Sequence, residues 1–152
     1  MLSQIWGVGS VKANKLYSSG IRTIEQLRKK KTELLTTNQI IGLKHYKDLL
    51  LKMERSEAKV IFETVKKVAK KIFGAKIEVV ACGSYRRGKP MCGDVDILIT
   101  RKDDKPVKGM LTTLVDMLTG QGFMTDTLSL SGMSPGSHSD KNKEMFMGVC
   151  KV

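Results

Sequence analysis

From residue 56 to residue 73, apolar side chains recur at Ile61, Val65, Val68 and Ile72. That is the i, i+4, i+7, i+11 spacing of one helix face. Lys59, Lys66, Lys67, Lys70 and Lys71 fall mostly on the other side, which predicts a long amphipathic helix with a solvated basic face. Ser56 is the expected cap and Gly74 the expected stop. Shorter helical patterns precede it. Val11, Ala13, Leu16 and Tyr17 give an apolar face that Gly20 closes. Thr23-Ile24-Glu25-Gln26 then has the form of a capping box, opening a second helix with Leu27 inward. Helix, tight turn and helix make a hairpin. Thr36-Thr37-Asn38-Gln39 is another capping box, predicting a helix with Ile40, Leu43, Tyr46 and Leu50 inside.

Beyond residue 74 the period changes. Residues 77–82 read as a buried strand, and Asp94-Val95-Asp96-Ile97-Leu98-Ile99 as a second strand with Val95, Ile97 and Ile99 facing a core. Pro106 stands near an expected helix start, with Val107, Met110, Leu111, Leu114 and Leu118 inward and Gly120 and Gly122 closing it. Residues 123–128 and 145–150 read as strands joined by a polar loop over 133–144 that includes His138. Helices alternating with a few strands indicate an α+β fold around a small mixed β-sheet. The change of pattern divides the chain at about residue 54.

The chemistry concentrates between Cys82 and Thr100. Residues i and i+2 of a strand share a face roughly 6.6 Å apart, so Asp94 and Asp96 point the same way. Two bare carboxylates at that spacing repel by roughly 2–3 kcal/mol at an effective dielectric near 20. A divalent cation removes that repulsion, and Mg²⁺ favours one or two carboxylates together with substrate phosphates. Gly83 allows close backbone approach to a phosphate, Ser84 offers a hydroxyl, and Arg86, Arg87 and Lys89 bring positive charge. Gly88 and Gly93 keep the turn open. A D-x-D pair alone is often just an exposed face. Its position after Gly83-Ser84 and before an apolar run makes a metal-assisted phosphoryl-transfer site the better reading.

Charge adds a partner. The 152 residues carry 27 basic and 15 acidic side chains, a net charge of +12, which favours a polyanion. Cys82, Cys92 and Cys150 are scattered and odd in number, fitting neither a disulfide scaffold nor a zinc knuckle. His45 has no partner at ligand spacing and reads as a surface or packing residue. The first residues do not form a signal peptide and no apolar run reaches membrane-spanning length, so a soluble intracellular protein is expected.

Gly83-Ser84 followed by Asp94-x-Asp96 resembles the nucleotidyltransferase superfamily signature. The string from Cys82 to Thr100, together with Gly7-x-Gly9-x-x-x-Ala13-x-x-Leu16-x-x-x-Gly20-Ile21-x-Thr23-Ile24-x-x-Leu27, resembles the family X DNA polymerases. The resemblance implies a helix-hairpin-helix fingers domain over residues 1–54 and a partial palm over 55–152. It implies Asp94 and Asp96 as catalytic ligands of Mg²⁺ (or Mn²⁺), with Ser84, Arg87 and Gly93 on the nucleotide. It implies a duplex grip through Gly7, Gly9, Ser10, Arg87 and Lys89, and Na⁺ or K⁺ held by the carbonyls of Ser3, Ile5 and Val8. Lys52 stands where the family has a triphosphate-binding arginine; it keeps the charge and loses the fork geometry. Family palms carry a third catalytic aspartate on a strand past the match to Gly148-Val149-Cys150, so these 152 residues alone are expected to catalyse poorly. The implied partners are gapped or primed DNA and a dNTP, in a monomer working in nuclear DNA repair. Two rival readings stay open: another nucleotidyltransferase, tailing RNA or adenylylating a small molecule, and a non-catalytic DNA-binding module.

Overall fold

A computed structural model describes residues 1–131 and 143–152. Most of the loop expected over 133–144, with His138, lies outside the described residues. The chain forms two compact units, Met1–Leu51 and Lys52–Val152. The division falls slightly before residue 54 because Met53–Glu54 (β1) pairs antiparallel with Met91–Cys92 (β3).

The first unit is helical. A 3-10 turn at Leu2–Gln4 leads to α1 (Ser10–Ser18), α2 (Ile24–Lys29), α3 (Lys31–Leu34), α4 (Thr37–Lys44) and α5 (Tyr46–Leu50). Both capping boxes form: Thr23 accepts from the Gln26 N–H at 3.1 Å and Thr36 from the Gln39 N–H at 3.4 Å, each returned by the glutamine side chain. Gly20 (φ +97°) ends α1 with Ile21 N–H donating to the Leu16 carbonyl and Gly20 N–H to that of Tyr17, both 3.1 Å. This double bond pattern satisfies carbonyls that the helix end would leave free. Leu2, Ile5, Val8, Leu16, Ile21, Ile24, Leu27, Leu35 and Leu43 form the core.

Two expectations fail here. Val11 and Tyr17 are exposed, at 69% and 57%. Val11 lies about 140° around the helix from the buried Leu16, and the Tyr17 ring instead carries the Arg22 guanidinium 3.6 Å above it. The helix expected to run on to Leu50 breaks at His45 (φ −99°, ψ 16°), and Leu50 is exposed. Neither glycine nor proline marks that break in the sequence.

The second unit is built on α6 (Arg55–Phe73), which buries Ala58, Ile61, Phe62, Val65, Val68 and Ala69. Gly74 (φ +78°) ends it. Its N-cap is Glu54 rather than Ser56, whose hydroxyl bonds the Glu54 carboxylate at 3.3 Å. β2 (Ile77–Ala81) pairs antiparallel with β4 (Ile97–Arg101), with Val79 opposite Ile99. α8 (Met110–Gly120) buries Leu114, Val115 and Leu118 and starts several residues after Pro106. Its first turn is capped from a distance: the Glu144 carboxylate accepts from Gly109 N–H at 2.7 Å and Leu111 N–H at 3.2 Å. β5 (Met124–Ser131) and β6 (Met145–Cys150) form an antiparallel pair. At the end of β4, the Arg101 guanidinium grips Asp103 at 2.7 Å and holds that carboxyl well below the usual range.

The fold is α+β as expected, but among the described residues the sheets are antiparallel, not mixed. Among the described residues the strands form three two-stranded antiparallel sheets. A parallel pair needs a crossover connection, usually a helix, and the chain between β2 and β4 holds only the one-turn helix α7 (Gly83–Arg86) and β3. No described helix is long and apolar enough to cross a membrane.

Candidate active site

The turn after β2 is wound, not open. Arg86 N–H donates to the Cys82 carbonyl, Arg87 N–H to Gly83, Gly88 N–H to Tyr85 and Lys89 N–H to Ser84, all at 3.1–3.2 Å. Gly83 (φ +58°) and Gly88 (φ +77°) occupy the left-handed region that a side chain disfavours. Arg86, Arg87 and Lys89 project into solvent. The Ser84 hydroxyl is buried and, among the described residues, has no hydrogen-bond partner. Leaving such a group unsatisfied costs about 1–3 kcal/mol, so its presence calls for an acceptor or donor beyond the described residues.

Asp94 and Asp96 were expected within a strand. They lie in the extended segment just before β4. The alternation survives: Val95, Ile97 and Ile99 pack on the core while Asp94, Asp96 and Leu98 are exposed. Asp96 is tied to the turn through both its backbone and its side chain. Its carbonyl accepts from Cys82 N–H at 2.8 Å. Its carboxylate lies so close to Gly83 that a Cβ there would sit 2.0 Å from Oδ2. Among the described residues neither aspartate is paired with a lysine or arginine, and no group of three or more His, Cys, Asp and Glu could hold a metal. The two carboxylates therefore face water, next to the orphaned serine's turn. Gly93 needs no special backbone and a Cβ there would meet nothing within 4 Å, so the space beside it is open. Lys52 is exposed just before β1.

Arg55 belongs to this site and sequence reasoning assigned it no role. Its guanidinium donates to the Tyr85 carbonyl, reaches that of Lys89 at 3.5 Å and lies 4.1 Å over the Tyr85 ring. Its backbone N–H donates to the Pro90 carbonyl at 2.9 Å. Tyr85 in turn leans on Phe62 of α6, ring centroids 6.0 Å apart. One side chain at the start of α6 thus holds both ends of the basic loop. A signal was present: a cation in the first turn opposes the helix dipole, so an arginine there needs another employment.

In the first unit, Gly7 (φ +85°) makes the turn closed by Val8 N–H on the Ile5 carbonyl at 2.9 Å. Ile5 and Val8 bury their side chains and Ser3 is exposed. The Ile5 carbonyl keeps one lone pair beyond that bond. Gly9 is the N-cap of α1 and Ser10 its first residue, with no side chain capping the first N–H groups.

A family model for the DNA polymerase beta palm matches residues 52–152, and one for the fingers domain of DNA polymerase lambda matches residues 1–50. The chain belongs to family X of the DNA polymerases. It is 40% identical over 152 residues to DNA polymerase lambda of Rattus norvegicus and 35% identical over 150 residues to that of Arabidopsis thaliana. These alignments cover 100% and 99% of this chain but 25% and 28% of the relatives, so the chain spans about a quarter of their length.

Proposed function

We propose that this chain is the duplex-gripping and nucleotide-holding part of a DNA-directed DNA polymerase, which transfers a nucleotidyl group from a dNTP to a primer 3′-hydroxyl with release of pyrophosphate. One observation carries the reading. The carboxylate of exposed Asp96 lies against Gly83, and the next residue, Ser84, carries a buried hydroxyl without a partner among the described residues. This supports a turn that takes a phosphate and a carboxylate-bound metal side by side.

The residues present suit a divalent ion. Asp94 and Asp96 offer hard oxygen ligands, exposed and uncompensated by any cation among the described residues, the setting Mg²⁺ or Mn²⁺ takes with phosphate. When bound, such an ion supplies Lewis acidity and charge neutralisation at the phosphates. The chain's own groups bind and orient. The Ser84 hydroxyl donates to a phosphate oxygen, Arg87 adds a fork of donors, and the open space at Gly93 admits the triphosphate close to the backbone. Lys52 adds charge at the entry to the second unit. In the first unit, the uncapped N–H groups at Gly9 and Ser10 meet a DNA phosphate, and the carbonyls of Ser3, Ile5 and Val8 share a Na⁺ or K⁺. Such contacts position a protein on DNA without reading sequence. The setting we infer is gap filling in DNA repair, in the nucleus, by a monomer.

Calorimetric titration of the 152-residue polypeptide with a dNTP, with and without Mg²⁺, tests this. Wild type is expected to show Mg²⁺-dependent binding that Asp94→Asn and Asp96→Asn each reduce by at least tenfold. Both variants should melt close to wild type without metal, because both side chains are exposed and make no ion pair among the described residues. Metal-independent binding, or none, would defeat the nucleotide reading and leave a DNA-binding module. Tighter binding of single-stranded RNA than of gapped DNA would favour an RNA-tailing enzyme instead. For duplex binding, log K should fall with log salt by about 0.9 per phosphate contacted.

Arg55→Met is expected to weaken Mg²⁺–dNTP binding about tenfold, the scale of losing one charge-assisted bond at a loop that must stay ordered. Methionine keeps the stem and removes an unfavourable charge from the start of α6, so thermal stability should fall much less than affinity. Unchanged affinity would show that the loop holds its shape unaided.

A further inference from the structure

Gln39 makes two sets of bonds at once. Within its capping box its Oε1 accepts from Thr36 N–H at 3.1 Å while its own N–H donates to Thr36 Oγ1. Its Nε2 then donates to the Gly7 carbonyl at 2.9 Å, across 32 residues of chain. The amide has no choice of orientation: Oε1 must face the Thr36 N–H, so Nε2 must face an acceptor. The same stretch of chain touches the hairpin loop twice more. The backbone at Gly42 lies against the Trp6 carbonyl, and Tyr46 shares a hydrogen bond of 3.2 Å with the Gln4 side chain.

We propose that Gln39 is a positioning residue for the duplex-gripping loop, an assignment that rests on the DNA-backbone role given above to Gly7, Gly9 and Ser10. The Gly7–Val8 peptide is bonded on both sides, its carbonyl to Gln39 and its N–H to the Ile5 carbonyl. A glycine left to itself visits both signs of φ; the amide selects φ +85° at Gly7. Gly9 and the first N–H groups of α1 follow directly from that turn. The cap that starts α4 is thus also the part that fixes how α1 is presented to a phosphate. Gln39 itself touches no DNA in this account.

Three variants separate presentation from folding. Gln39→Glu keeps the acceptor that caps α4 and removes the donor to Gly7. Asn38→Asp, on the exposed neighbouring position, adds the same charge without reaching Gly7. Thr36→Ala weakens the cap and leaves the Gly7 bond in place. Fluorescence anisotropy with a gapped duplex at fixed salt, beside thermal melts, reads all three. Gln39→Glu is expected to bind about tenfold more weakly than Asn38→Asp while melting within a few degrees of it. Thr36→Ala should melt lower and, below its melting temperature, bind as wild type does. Equal affinities for Gln39→Glu and Asn38→Asp would overturn the proposal. So would affinity that simply tracks melting temperature across the set. Failure of the wild type to bind duplex at all would sink the DNA-grip reading together with this one, whereas equal variants sink only this one.

Discussion

Gly42→Ala is expected to destabilise residues 1–51 by up to about 2 kcal/mol. The substitution gains about 1 kcal/mol of helix propensity in the middle of α4. Against that, the new Cβ would stand 2.4 Å from the Trp6 carbonyl oxygen and 3.2 Å from its carbonyl carbon. These are backbone atoms of the turn that Val8 N–H and the Ile5 carbonyl close, so they cannot swing aside as a side-chain tip can. Overpacking of this kind costs roughly 1–3 kcal/mol and more where backbone must shift. Units below about 70 residues seldom hold more than 3–5 kcal/mol in total, and this one ends at Leu51. Net of the helix gain, up to about 2 kcal/mol of that margin is lost. Hydrogen exchange read by mass spectrometry should show protection lowered across α1 to α5 and unchanged in α6 and β2. A variant with wild-type exchange in α1 and α4 would show that α4 does not lie on Trp6.

Gly83→Ala should do the opposite, sparing the fold and breaking the site. Alanine at φ +58° costs about 1–2 kcal/mol, which a unit of residues 52–152 tolerates. The added Cβ would lie 2.0 Å from Asp96 Oδ2 and 3.1 Å from its Cγ. Here the obstructing group is the end of an exposed side chain, so the carboxylate moves and the strand stays. A displacement near 1 Å at reacting groups is worth about 100-fold in rate. Mg²⁺-dependent dNTP binding should fall at least tenfold with cooperative melting preserved. Gly93→Ala is the control: its φ is ordinary and a Cβ there meets nothing within 4 Å, so its melting temperature should match wild type. Full nucleotide affinity in Gly83→Ala would mean Asp96 has no part in holding the ion.

What could be read ahead of the structure was local. Two capping boxes, the stop at Gly20, the buried stripe of α6 and the inward alternation of Val95, Ile97 and Ile99 each depend on residues a few positions apart. The link between Gly83 and Asp96 was legible as a motif, though not as a contact. The unread contacts at the site and the caps are pairings between distant segments. Arg55 finds the Tyr85 carbonyl, Gln39 finds that of Gly7, and Glu144 caps α8, none with a periodicity to announce it. Val11 and Tyr17 misled because apolar identity was taken for burial, when their angular positions on α1 place them off the buried stripe. The sheet was misjudged because antiparallel or parallel pairing depends on how the chain returns between strands, which composition does not record.

The bond from Cys82 N–H to the Asp96 carbonyl continues the β2–β4 ladder one step past its last regular pair, Ala81 with Ile97. The carboxylate therefore hangs from the outermost rung of a two-stranded ribbon. Ladder ends fray before their middles. Warming or mild denaturant would thus free the Asp96 carboxylate while the helices were still intact, and the proposed ion site would be lost with a single peptide hydrogen bond before the core beneath it gave way.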